Sequence, residues 1–149
     1  LPLLDPARPL RRYSRRTLRR ATGGFHPSRL LGSGAASPVF LATFPDASLA
    51  AVKTCASAHE LHLLASLPES PHLVSLHGYS PGPGSVGGTA ERPPLLVFEY
   101  MPQGSLQGAL FGGGDAAARD GQFLDSQKRL AIIRDVARVL AFRLVECQL

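Results

Sequence analysis

Two glycines, a lysine and a glutamate are spaced so that together they could hold an anion. The run Leu31-Gly32-Ser33-Gly34-Ala35-Ala36-Ser37-Pro38-Val39 reads as a glycine-rich turn between apolar segments. Without side chains at Gly32 and Gly34, backbone N–H groups can approach a phosphate closely. Lys53 follows inside an apolar strand, Leu49-Ala50-Ala51-Val52-Lys53-Thr54. It is one of two lysines among sixteen Lys and Arg residues, the other being Lys128. An arginine would serve for a plain surface charge, so a lysine in this strand invites a specific role. The bland alternatives are a hairpin that uses glycine for positive φ and an edge-strand lysine facing water. Glu60 is the candidate partner of the ammonium group. Only six residues separate the two, so an ion pair competes with a solvated helix carboxylate.

The elements that must position these groups are legible from pattern. Leu30-Leu31 and Val39-Phe40-Leu41-Ala42-Thr43-Phe44 read as strands on either side of the glycine turn. Pro45-Asp46-Ala47-Ser48 is a turn, and residues 49–54 are the next strand, which gives an antiparallel meander. Ser57 can cap a helix whose apolar positions Leu61, Leu64 and Leu67 recur every three residues, ending before Pro68. Residues 72–79 alternate like a half-buried strand, and residues 80–94 are a Gly/Pro-rich exposed loop. Residues 95–100 form a buried strand, and Ser105 caps a short helix. Another glycine-rich loop covers residues 112–121. A long helix follows over about residues 126–144. Its apolar face of Leu130, Ile132, Ile133, Val136, Val139, Leu140 and Leu144 is expected to be buried.

Composition fits a globular chain of 149 residues, 44% apolar and 18% charged. No apolar run approaches the roughly 20 residues of a spanning helix. Leu1 is the first residue and Met101 the single methionine, so an incomplete reading frame is expected. No signal peptide is read from Leu1 onward. Cys55 and Cys147 have neither metal-ligand spacing nor a disulfide framework, so a reducing, intracellular setting is the default expectation. His62, His72 and His77 suggest no metal site and read as surface or packing histidines.

The net charge of +5 is uneven: Arg8, Arg11, Arg12, Arg15, Arg16, Arg19 and Arg20 crowd the first twenty residues. As one helix, they would share half its circumference, opposite Leu10, Tyr13, Thr17, Leu18 and Ala21. Such an arm could be solvated and docked by its apolar residues, or could meet an anionic membrane surface. Nucleic acid is the less favoured partner, because no aromatic interleaving supports base stacking.

Four segments in order carry a family resemblance. They are Tyr13-Ser14 with Leu18, Ala21-Thr22 and Phe25; Leu31-Gly32-Ser33-Gly34 to Val39, then Ala51-Val52-Lys53; His72-Leu73-Val74 with Leu76, Gly78 and Tyr79; and Leu95-Leu96-Val97-Phe98-Glu99-Tyr100-Met101-Pro102 with Gly104-Ser105-Leu106. Over about residues 13–140 the chain thereby resembles plant receptor-like serine/threonine protein kinases and their cytoplasmic relatives. The resemblance implies an α+β fold: a protein-kinase-like N-lobe of five antiparallel strands and one helix, then a hinge and the first helices of a C-lobe. Residues 1–25 would be a basic arm, 26–101 the N-lobe and 102–149 the hinge and C-lobe helices.

It also implies ATP as cofactor. Leu31 and Val39 would sandwich the adenine, with Ala51 in the same pocket. The loop of Gly32, Ser33 and Gly34 would cover the phosphates. Lys53 would pair with the α- and β-phosphates, oriented by Glu60. Phe98 would close the rear of the pocket, and the Glu99 carbonyl and Met101 amide would bond the adenine edge. The third glycine position of the family's loop holds Ser37, followed by Pro38, which predicts a stiffer flap.

No His-Arg-Asp or Asp-Phe-Gly triplet occurs. The residues that orient the substrate hydroxyl and bind Mg²⁺ are therefore missing from this stretch. Residues 142–149 replace the segment expected before the catalytic loop, which suggests truncation, alternative splicing or a misread gene. The expectation is a nucleotide-binding lobe of a kinase, catalytically incomplete as written. A pseudokinase-like interaction module and a basic nucleic-acid-binding protein are the alternatives. The apolar stripe of the last helix then calls for a protein partner or self-association. A cytoplasmic location is expected, at the plasma membrane in a full-length parent.

Overall fold

The computed structural model describes residues 9–33, 37–54, 58–67, 70–82, 93–111 and 125–146. Gly34, Ser57, Pro68 and the two Gly-rich loop centres at residues 83–92 and 112–121 lie outside them. The backbone divides into two units, residues 1–69 with 75–101 and residues 70–74 with 102–149.

The first unit is a six-stranded sheet in the order β1-β5-β6-β4-β3-β2. Its strands are β1 (Arg11–Arg12), β2 (Leu30–Ser33), β3 (Pro38–Thr43), β4 (Leu49–Thr54), β5 (Leu76–Ser80) and β6 (Leu95–Glu99). Five of them form the expected antiparallel set. The sixth is a correction: Arg11 and Arg12 are a strand, paired in parallel with Gly78 and Tyr79 of β5. The arginine-rich stretch is therefore not one helix. Helix α1 (Arg15–Ala21) begins only after Ser14, whose Oγ accepts from the Thr17 N–H at 3.0 Å. That bond satisfies one of the orphan donors of the first turn and sets the start of the helix.

The opposite end of α1 is closed just as locally. Gly23 and Gly24 have φ of 61° and 79°, and their N–H groups return to the carbonyls of Arg20 and Arg19. This is the left-handed glycine stop in which the last free carbonyls of a helix are satisfied. Thr22 is buried; its hydroxyl donates to the Leu18 carbonyl at 2.9 Å and accepts from the Phe25 N–H at 3.1 Å. Phe25 is thereby turned edge-on to Phe40, 5.4 Å between centroids.

These caps aim Leu18 and Ala21 at the sheet. They form one core with Ala42, Ala50, Val52, Leu95 and Val97, edged by Tyr13, Phe25 and Phe44. Alternation along a strand sends neighbouring residues to opposite faces. Leu96 and Leu76 accordingly make a second core on the other face, where Leu61 and Leu64 of α2 (Ala58–Ala65) pack with Leu10, Tyr79 and Phe98. Leu67 lies beyond the end of α2.

Gly78 allows β1 to reach the sheet edge. A Cβ there would run into the Arg11 carbonyl and stand 2.9 Å from the Tyr13 ring. Gly78→Ala is expected to destabilise the chain by about 1–3 kcal/mol, as overpacking against backbone does. It should also release the Tyr13 amide, which donates to the Tyr79 carbonyl at 2.8 Å, to hydrogen exchange. Full protection of that amide in a stable variant would contradict this.

Strand β5 starts at Leu76, not at His72. Ser70 accounts for the difference: its hydroxyl accepts from the His72 N–H at 3.2 Å and its carbonyl from the Leu73 N–H at 3.1 Å. A local turn of this kind competes with strand pairing. In the hairpin of β3 and β4, the Asp46 carboxylate accepts from the Ser48 hydroxyl at 2.6 Å and its N–H at 3.0 Å. Those bonds hold the Asp46 carboxyl below its ordinary range.

The second unit holds α3 (Leu106–Phe111) and α4 (Ser126–Glu146). Ser105 caps α3 by accepting from the Gly108 N–H at 3.1 Å. Asp125 caps α4 by accepting from the Lys128 N–H at 2.7 Å. Much of the apolar face of α4 that the pattern would bury is exposed: Leu130 is 67% and Ile133 64% accessible, and Val136 and Leu140 are exposed too. Its own unit supplies little to cover it. Among the described residues that unit holds, besides α4 itself, only the 70–74 segment and the stretch around the six-residue α3.

Candidate nucleotide-binding site

The register of the sheet brings several candidate residues onto one face. Val39 lies opposite Lys53, and Lys53 opposite Leu96; one pleat away, Ala51 lies opposite Phe98. Val39, Ala51, Lys53 and Phe98 therefore share the face that α2 covers through Leu61 and Leu64. Glu60 sits in the first turn of α2, where the helix dipole favours a carboxylate. Its Oε1 accepts from Lys53 Nζ at 2.8 Å, with the two side chains 24% and 23% exposed. The short connection between strand and helix thus does not prevent a direct, half-buried ion pair.

Gly32 lies opposite Val39 in the β2–β3 pair, after a register shift that leaves Leu31 as the extra, half-buried residue. Its φ is not among the left-handed glycine values, and a Cβ built on it meets no heavy atom within 4 Å. Among the described residues, neither backbone conformation nor packing demands a glycine there. Ser33 pairs with Pro38, which opens β3, a place where its missing N–H disturbs no interior ladder bond. Gly34 lies outside the described residues, so the tip of the turn does too.

At the end of β6, Glu99 carries an interaction that sequence reasoning missed. Its carboxylate accepts from the Ser75 N–H at 3.0 Å, while its own N–H donates to the Ser75 carbonyl at 2.9 Å. The strand end is clamped to the start of the 75–101 segment by both backbone and side chain. Nothing in the local pattern marks Ser75 as that partner, since the contact spans 24 positions. Met101 is 51% exposed at the end of this unit.

No family profile matches the chain. A receptor-like serine/threonine-protein kinase of Arabidopsis thaliana is 35% identical over 144 residues, covering 89% of this chain and 20% of the relative. A probable L-type lectin-domain containing receptor kinase of the same plant is 34% identical, covering 93% and 20%. The salt tolerance receptor-like cytoplasmic kinase 1 of Oryza sativa subsp. japonica is 36% identical over 130 residues, covering 81% and 33%. The chain is a homologue of the plant receptor-like serine/threonine kinases. It spans between a fifth and a third of the length of these curated relatives.

Solved structures agree on the fold of this receptor-kinase homologue. A pseudokinase in its apo form superposes with a TM-score of 0.59 at 22% identity, over 88% of this chain and 50% of that one. The pseudokinase drought responsive inactive kinase 1, in co-crystal with ENMD-2076, gives 0.58 at 20% identity, over 87% and 49%. Among the described residues no helix is long and apolar enough to cross a membrane.

Proposed function

We propose that the sheet face around Lys53 is the ATP-binding part of a serine/threonine protein kinase. The observation that carries this reading is the 2.8 Å Lys53–Glu60 pair, about three-quarters buried on a face shared with Val39, Ala51 and Phe98. Drawing two charges out of water is unfavourable, and apolar side chains would stabilise the fold at least as well. A lysine held there by a glutamate is better explained by an anionic ligand. An ammonium group has three N–H donors, and Glu60 takes one. The others suit the α- and β-phosphates.

The open space above Gly32 supports the same reading, because a strand glycine not needed by the fold suits close approach of a ligand. In this proposal Leu31 and Val39 enclose the adenine, Ser33 and Gly34 complete the phosphate flap, and Phe98 closes the rear. The Glu99 carbonyl and Met101 amide meet the adenine edge, and the Ser75 clamp keeps that strand end in place. Neither His-Arg-Asp nor Asp-Phe-Gly occurs in these residues, so what they supply is nucleotide positioning; Mg²⁺ ligands and transfer chemistry must come from elsewhere in a parent kinase.

A thermal-shift titration with ATP, with and without Mg²⁺, tests this. Saturable stabilisation is expected. Gly32→Val should leave the ligand-free midpoint nearly unchanged and weaken ATP binding about tenfold or more, the effect of filling space that a ligand must enter. Unaltered ATP affinity in that variant would remove the flap assignment.

The exposed stripe of α4 favours a second reading, a non-catalytic module that keeps the kinase fold and binds a protein partner. Absence of any ATP response would select it.

A further inference from the structure

Residues 6–45 contain eight arginines and no carboxylate. Seven of them lie among the described residues, and the fold sorts those into two groups. Arg11 lies over the Tyr13 ring at 5.0 Å, Arg15 donates to the Pro93 carbonyl at 2.8 Å, and Arg29 donates to Thr43 Oγ1 at 2.9 Å. Arg12, Arg16, Arg19 and Arg20 are exposed and make no ion pair among the described residues. Nor, among the described residues of this unit, is a carboxylate without a partner. Of the carboxylates described in this unit, Asp46 is bonded to Ser48, Glu60 to Lys53 and Glu99 to Ser75.

On α1, at about 100° per residue, Arg16, Arg19 and Arg20 fall within an arc of roughly 100°. Leu18 and Ala21, buried in the core, lie on the opposite side. The apolar residues fix the helix on the sheet and turn the guanidinium groups outward. Arg19 and Arg20 also complement the helix C-terminus. That explanation does not reach Arg16 or Arg12.

We propose that this outward arc is a docking surface for an anionic membrane. Charge complementarity makes the ligand a polyanion, and two features choose a bilayer over nucleic acid. A helix of seven residues pinned flat on a sheet cannot enter a major groove, whereas it can lie along a plane. The neighbouring aromatics are already engaged, Tyr13 stacked on Phe44 at 5.5 Å and Phe25 against Phe40, so none is offered to bases. Arginines stay charged at every physiological pH, and the attraction operates within a Debye length of the leaflet.

Co-sedimentation of the full chain with phosphatidylcholine vesicles, with and without phosphatidylserine, tests the proposal. Binding is expected only with phosphatidylserine, strong at about 0.1 M salt and lost near 1 M, where screening shortens from roughly 10 Å to 3 Å. Combined R16Q, R19Q and R20Q should weaken it about a hundredfold, at roughly fivefold per arginine. Combined R16K, R19K and R20K should retain it, which separates lost charge from lost folding. Binding that ignores phosphatidylserine, a glutamine variant that binds like the parent, or tighter binding to duplex DNA at equal salt would each overturn the proposal.

Discussion

Lys53→Met is expected to abolish the ATP-dependent rise in melting temperature while barely moving the ligand-free midpoint. The two halves have different physical origins. The Lys53–Glu60 pair is about a quarter exposed, so screening limits its contribution to within roughly 1 kcal/mol, and methionine fills similar space. Ligand present at a hundredfold over Kd stabilises by about 2.7 kcal/mol. In a chain of this size that corresponds to roughly 5–10 °C. The parent should show that shift and the variant none. Glu60→Gln keeps the ammonium but weakens its orientation, and should give an intermediate response. A Lys53→Met chain that saturates with ATP like the parent would end the assignment of this residue.

Leu18→Ala is expected to give the largest loss of stability, about 2–5 kcal/mol, measured as a lower urea midpoint at unchanged slope. Leu18 is 0% exposed in the first core. Its neighbours there include Ala42, Ala50 and Ala21, side chains too short to collapse into the vacated volume. The upper half of the range is therefore expected, since the residual cavity sets the spread. A loss under about 1 kcal/mol would mean that the arginine-rich segment decorates the sheet without helping to hold it together.

What could be read from sequence followed from how local each signal is. Strands β4 and β6 are short apolar runs bounded by turn residues, and they form where pattern places them. The Lys53 and Glu60 groups were visible as residue types in a particular order, and their direct contact needed only α2 to pack by Leu61 and Leu64. Strand β1 was hidden because two adjacent arginines have no strand pattern; its existence depends on a distant glycine, Gly78, clearing space for it. The beginning of β5 was misplaced because Ser70 captures two backbone amides. The Glu99–Ser75 clamp is likewise non-local. The exposed side of α4 follows a helical period that reports amphipathicity without reporting what lies against it.

The two-residue strand at the margin of the sheet has a practical bearing on handling this protein. β5 would otherwise present unpaired amides and carbonyls, a template on which another polypeptide can grow. Arg11 and Arg12 occupy that template with charged side chains. Any recombinant version whose first residue falls after Tyr13 would uncover it, and such trimmed material should be less soluble than the untrimmed protein.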